Sequence, residues 1–419
     1  MNKICEQFPV FENVFEAIDF LRSLGLNAVN IPDNILPYFD AMDPLNATGL
    51  YLDETDFLVT RLQCNVDDVE YYRQLNIGNS IPFLTDFKRY SIKPNLAHTQ
   101  FLYRGQSKDY KSIKPNLFRD KNKHYFLDDM IKGQELIAFI AEHPLVQLLG
   151  IKGFELRNRN IKLQANLYGL AQHYYNRTTE VDLSSSIDVA AFFAVTRYDA
   201  KLDKYLPIEA GPESTGVIYA LPVSRSLAYN SIFGFNITSI GKQFCFERPS
   251  RQLGFLADCS GDKDLIDHKL LLRVEFKHNR DITNRIYDFW GKGDAIAPED
   301  PLEKYWRMYR DNPGEPFHVS NKAIELNLYH NHGETEESIT DKLLSYRNGQ
   351  GAPAFKLTGK EWPEFPRELL EGYWSDIKNG WWQDVFCDDI YFPLSGNKTK
   401  EALKAIPNDP RYRSSFFEN

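Results

Sequence analysis

Cysteine is scarce in this chain, and its five copies (Cys5, Cys64, Cys245, Cys259 and Cys387) are scattered through 419 residues with no C-x-x-C pair. An odd, dispersed set excludes a disulfide framework and a cysteine-ligated zinc, and suits a reducing compartment. Long apolar runs are also missing. Nothing approaches the roughly 20 apolar residues that a membrane-spanning helix needs. The opening Met1-Asn-Lys-Ile-Cys5-Glu-Gln has no basic segment leading into an apolar one, so no secretory leader is expected there. Positive charge is not in excess: 49 Lys and Arg face 58 Asp and Glu, a net charge of −9. That balance argues against extensive nucleic-acid binding but leaves room for a small basic pocket. The expectation is a cytoplasmic protein with no membrane segment and no metal.

What is present is enough apolar residue, 42% with 29 Phe and 23 Tyr, to bury a substantial core. The length suggests two or three domains. Phe11, Phe15, Ile18, Leu21 and Leu24 recur at helical spacing, so a helix is expected over 11–24. Residues 30–90, broken by Pro32, Pro37, Pro44 and Pro82, read as irregular, with a short helix over Asp67–Asn76. The hexapeptide Ser-Ile-Lys-Pro-Asn-Leu occurs at 91–96 and 112–117; two copies are too few for a repeat architecture. A helix is expected over 133–149, and strands at 216–221 and 270–276. The centre therefore reads as α+β, a mixed or antiparallel sheet flanked by helices. Residues 1–95 form an N-terminal accessory region, 96–285 the central domain, and 286–419 an aromatic-rich C-terminal accessory region whose tryptophans read as core.

Four stretches carry residues suited to chemistry. In Tyr103-Arg104-Gly105-Gln106, an arginine at a strand end can present its fork to a phosphate or carboxylate, and the glycine lets backbone come close. An ion-paired structural arginine is the plain alternative. In Gln172-His173-Tyr174, the histidine suits orienting a ligand or moving a proton, or a bond to backbone. Asp182-Leu-Ser184-Ser185-Ser186 runs from a strand into the Ile187–Ala194 helix, and such a junction is either a hydrogen-bonding shelf or simply a cap and a turn. Asp188 already answers that helix's dipole, so a neutral ribose or amide is expected there rather than a bare phosphate. In Arg251-Gln252-Leu253-Gly254-Phe255, Gln252 can donate and accept hydrogen bonds but cannot act as a general base.

In this order, Tyr-Arg-Gly-Gln, then Gln-His-Tyr with Asp182-x-Ser184-Ser185 and Val189-Ala190-x-x-Phe193-Ala194, then Arg251-Gln252-x-Gly254-x-Phe255, the blocks resemble the FRG domain family over about residues 98–260. The chain departs from that pattern at Thr179, where the family has arginine, with Arg177 two residues earlier, and at Ile187, where it has proline. The family itself looks like a distant relative of ADP-ribosyltransferases. That resemblance implies an ADP-ribosyltransferase-like fold and a catalytic set of Arg104, Ser184 and Gln252. Tyr103, Gly105, Gln106, His173, Tyr174, Ser185 and Ser186 would line the nucleotide. It implies NAD as substrate, a protein or other macromolecular acceptor, and a role as a toxin or defence effector. Gln252 stands where a glutamate is expected, which implies a slow enzyme, an acceptor that is already nucleophilic, or another carboxylate, Glu247 or Glu275, in that role. The alternatives are a non-catalytic module that binds or senses a nucleotide, or a structural, partner-binding protein.

Overall fold

In the computed structural model the described residues are 8–24, 80–84, 90–94, 101–119, 126–141, 154–156, 159–175, 178–222, 235–240 and 246–298 apart from a few positions, with shorter pieces at 317–320, 323–325, 335–342 and 355–358. The expected helix at Asp67–Asn76 lies outside them, as does Arg177.

A six-stranded sheet forms the centre. Its strands are β1 (Phe101–Gln106), β2 (Glu180–Ser184), β3 (Thr215–Pro222), β4 (Asn236–Ser239), β5 (Gly254–Asp258) and β6 (Leu272–Lys277), in the spatial order β4-β5-β2-β1-β3-β6. Every neighbouring pair is antiparallel, so the α+β reading with a central antiparallel sheet holds. The helices are α1 (Val14–Ser23), α2 (Phe126–Ala141), α3 (Leu167–Tyr175), α4 (Ile187–Val195), α5 (Glu247–Arg251) and α6 (Arg280–Phe289).

Side-chain alternation along the strands divides two cores. On one face Phe101, Ile218, Ala220, Val274 and Phe276 pack with α4 and with Val14, Ala17, Ile18 and Leu21 of α1. On the other, Leu102, Val181, Leu183, Val217, Tyr219 and Phe255 pack with Ile113 and Leu265 from the covering loops. Helix α1 begins at Val14 rather than Phe11, because Asn13 caps it by accepting from Phe15 N and Glu16 N. Phe11 instead bridges to Phe276. Helix α4 is apolar nearly all round and lies directly on β1: a Cβ on Gly105 would stand 1.8 Å from the Ala190 carbonyl oxygen. Helix α6, capped by Asn279, places Ile286 in the same core and its Tyr287 hydroxyl on Tyr205 O of the hairpin Thr196–Asp199/Lys204–Pro207.

The sheet is not evenly laced. Strands β1 and β3 pair over six rungs, from Phe101–Pro222 to Gln106–Val217. Strands β1 and β2 share one rung, Tyr103–Ser184. Beyond it the ladder stops, leaving a gap in the middle of the sheet with Arg104, Gly105 and Gln106 on one bank and Leu183, Asp182 and Val181 on the other.

Candidate functional site

The gap leaves backbone groups to be satisfied by other means, since buried carbonyls must find donors. Asp182 O takes its donor from a side chain: Arg104 Nη1 donates to it at 2.7 Å. Alternation points Arg104 away from the α4 face, on which Tyr103 and Gly105 lie, so the guanidinium reaches the gap from the opposite face. That is its one hydrogen bond to described residues, and Arg104 Nε is buried without a partner. Burial lowers the guanidinium's pKa from its usual value, and Asp182 opposes this. Gln106, on the same face two residues on, is buried with Oε1 unpartnered. Arg119 is a second cation close enough for Arg104 to weigh on it. Burial first, and then Arg104, bring its pKa down to about 10.

The Asp182 carboxylate leaves β2 on the α4 face and meets α3. Gln172 Nε2 donates to Asp182 Oδ2 at 2.7 Å, the Thr178 hydroxyl donates to Gln172 Oε1, and Glu180 N donates to Thr178 Oγ1 at 3.1 Å. His173, on the same helix, puts Nε2 4.0 Å from Asp182 Oδ1. Burial lowers the imidazole's pKa, with Asp182 opposing, so the ring is neutral near pH 7. Gly254 of β5 makes room for it, since a Cβ there would come within 3.0 Å of Nε2. Tyr174 is buried against Phe246 and lies under the Arg248 guanidinium.

The serine turn and the Gln252 corner are laced together. Ser184 Oγ accepts from Ser186 N at 3.0 Å and donates to Gln252 O at 2.7 Å, while Ser185 N donates to Leu253 O at 3.1 Å. Ser186 caps α4 by accepting from Val189 N. Gln252 Nε2 donates to Ile296 O at 3.3 Å. Leu253 holds a left-handed φ of 46° to make the corner. Tyr103 packs among the α4 core, and burial raises its hydroxyl to about 12.

Three stretches far apart in sequence thus meet around the β1–β2 gap. Gly105 serves the close approach of α4, and Ser186 serves as a cap. Of the two carboxylates weighed in place of a glutamate, Glu247 is partly exposed and paired with Arg251, and Glu275 is paired with Arg273 on β6, beyond β3 from the gap. The carboxylate that does reach the gap is Asp182. Sequence reasoning quoted it only as part of the serine motif, although it occupies the strand position two before Ser184 and therefore the same face. Among the described residues no group of three or more His, Cys, Asp or Glu is disposed to hold a metal, and no helix is long and apolar enough to cross a membrane.

An antiparallel α+β sheet that parts between an arginine-bearing strand and a serine-bearing strand is the setting of this site. Residues 99–203, which carry both strands, α2, α3 and α4, match the FRG domain. No curated protein and no solved structure matches the chain.

Proposed function

We propose that the gap between β1 and β2 binds a nucleotide, NAD, and that the domain transfers its ADP-ribose to a protein or other macromolecule. The observation that carries this reading is Arg104. Its guanidinium sits where the sheet parts, holds one hydrogen bond to the described residues, and keeps a buried Nε donor without a partner among them. A fork of that kind suits a pyrophosphate, which supplies charge-assisted acceptors in the matching geometry. Asp182 Oδ1, a carboxylate oxygen also without a partner among the described residues, belongs to the strand across the gap.

In the transfer, the bond from the ribose anomeric carbon to nicotinamide breaks and nicotinamide leaves with the electron pair. The acceptor's nucleophilic atom then bonds to that carbon and gives up its proton. Arg104 would position the pyrophosphate, and Asp182 would stabilise the electron-poor ribose and take the proton, a role Gln252 cannot fill. General-base help is worth roughly 10²–10⁴ in rate. Ser184 is already bonded on both sides, so it acts by fixing the turn rather than by touching ribose.

That same saturation of Ser184, together with the bond from the Gln252 side chain to Ile296 O, favours a second reading in which the domain binds the nucleotide and senses it without turnover. Incubation with NAD separates the two. Release of nicotinamide by the native chain and not by Arg104→Gln, a variant that still offers a donor to the Asp182 carbonyl, supports transfer. Saturable binding without release supports sensing, and failure to bind NAD contradicts both.

A further inference from the structure

His173 Nε2 and Asp182 Oδ1 face each other at 4.0 Å, each shielded from solvent and each without a partner among the described residues. The distance is too long for a direct hydrogen bond, and a buried polar atom left unsatisfied is costly. The His173 side chain is 3% exposed and that of Asp182 is 35% exposed, so the access to the pair lies on the Asp182 side. Neither side chain is loose. The chain of bonds from Glu180 N through Thr178 and Gln172 engages Oδ2 and turns Oδ1 toward the ring, and the bare Gly254 seats the imidazole.

One oxygen atom can stand about 2.8 Å from both atoms at this separation. The neutral imidazole supplies one N–H and the carboxylate supplies only acceptors. With the proton on Nε2, the group that accepts from Nε2–H and donates to Oδ1 is a hydroxyl. An ammonium would leave the histidine unanswered, and a second carboxylate would be repelled by Asp182. We propose that Asp182 and His173 together hold a ribose hydroxyl of the bound nucleotide. This rests on the reading above that the gap takes a nucleotide.

Binding of ADP-ribose, adenosine and inorganic pyrophosphate, measured calorimetrically on the full chain, tests it with Asp182→Asn, His173→Phe and Arg104→Gln. The expected result is that either substitution at 182 or 173 weakens ADP-ribose by about tenfold or more, the cost of one hydrogen bond involving a charged group. Pyrophosphate, which has no hydroxyl to offer, is expected to lose affinity in Arg104→Gln alone. If ADP-ribose binds the Asp182 and His173 variants as it binds the native chain, the pair holds a water only; the proposal falls and the nucleotide reading stands. If adenosine binds with the expected dependence while pyrophosphate and ADP-ribose do not, the hydroxyl site stands and the nucleotide reading falls. If nothing binds, both fall. Should His173→Phe fail to fold, His173→Gln keeps a donor, and native-like affinity in it beside loss in Asp182→Asn upholds the proposal; equal affinity in both overturns it.

Discussion

Ser184 shows how much of this site is held by single atoms. Its hydroxyl accepts from Ser186 N and donates to Gln252 O, so removing it orphans one donor and one acceptor in a position that is 5% exposed. Ser184→Ala is expected to cost about 2 kcal/mol, read as a lower melting temperature; an unchanged melt would mean that the turn and corner are held elsewhere. Gly105 is less forgiving. Because a Cβ there meets the Ala190 carbonyl at 1.8 Å, Gly105→Ala should destabilise by roughly 3 kcal/mol or more, since α4 must lift off β1. Glu180 makes a prediction about pH. It stands directly across from Asp258 in the β2–β5 register, and burial, Asp258 and Asp182 push its carboxyl up to about 8 from 4.5. A carboxyl whose folded pKa is raised binds its proton more tightly in the fold. Its contribution is therefore full below about pH 4.5 and lost as pH rises through about 8. Glu180→Gln should flatten that decline and melt higher than the native chain at pH 8.5; identical slopes would contradict the assignment.

At the scale of elements, the helices differ in what fixes them. Helix α6 depends on its cap: Asn279 accepts from Asp281 N and Ile282 N, and Asn279→Ala should cost about 1 kcal/mol in a denaturant titration. The ion pair from Arg22 of α1 to Asp188 of α4 is about half exposed at both ends. Arg22→Ala should cost under about 1 kcal/mol, and much of that should vanish in high salt. Sequence periodicity found the elements whose residue pattern matches their burial. The strands at 215–222 and 272–277, the step from β2 into α4, and most of α1 were legible for that reason. Periodicity misplaced ends where a cap decides, as at Asn13, and it missed context. Ser-Ile-Lys-Pro is strand at 91–94 and has no regular structure at 112–115, although the residues are identical. The expectation of irregular chain over 30–90 likewise gives way at Ser80–Leu84, which pairs with Tyr90–Pro94 as a hairpin.

For the molecule as a whole, the informative feature is the gap, and no local pattern could announce it. Sequence offers the banks, Tyr103-Arg-Gly-Gln and Asp182-Leu-Ser, but that they share one rung is a property of the assembled sheet, where α4 presses on Gly105. Alternation does the rest. It separates Arg104 from Ser184 by a sheet face and brings Asp182 to His173, so the carboxylate of the site was hidden in plain view two residues before the serines. Glu247 and Glu275 flank the missing glutamate in sequence, but each is paired with its own arginine, Arg251 and Arg273. The central claim, that Arg104 spends its spare donors on a nucleotide at the gap, is tested most directly by a crystal structure of the full chain with ADP-ribose. The account predicts pyrophosphate oxygens within hydrogen-bond distance of the Arg104 guanidinium, with the ligand between β1 and β2. A ligand bound elsewhere, with Arg104 still engaged by Asp182 O alone, would contradict it.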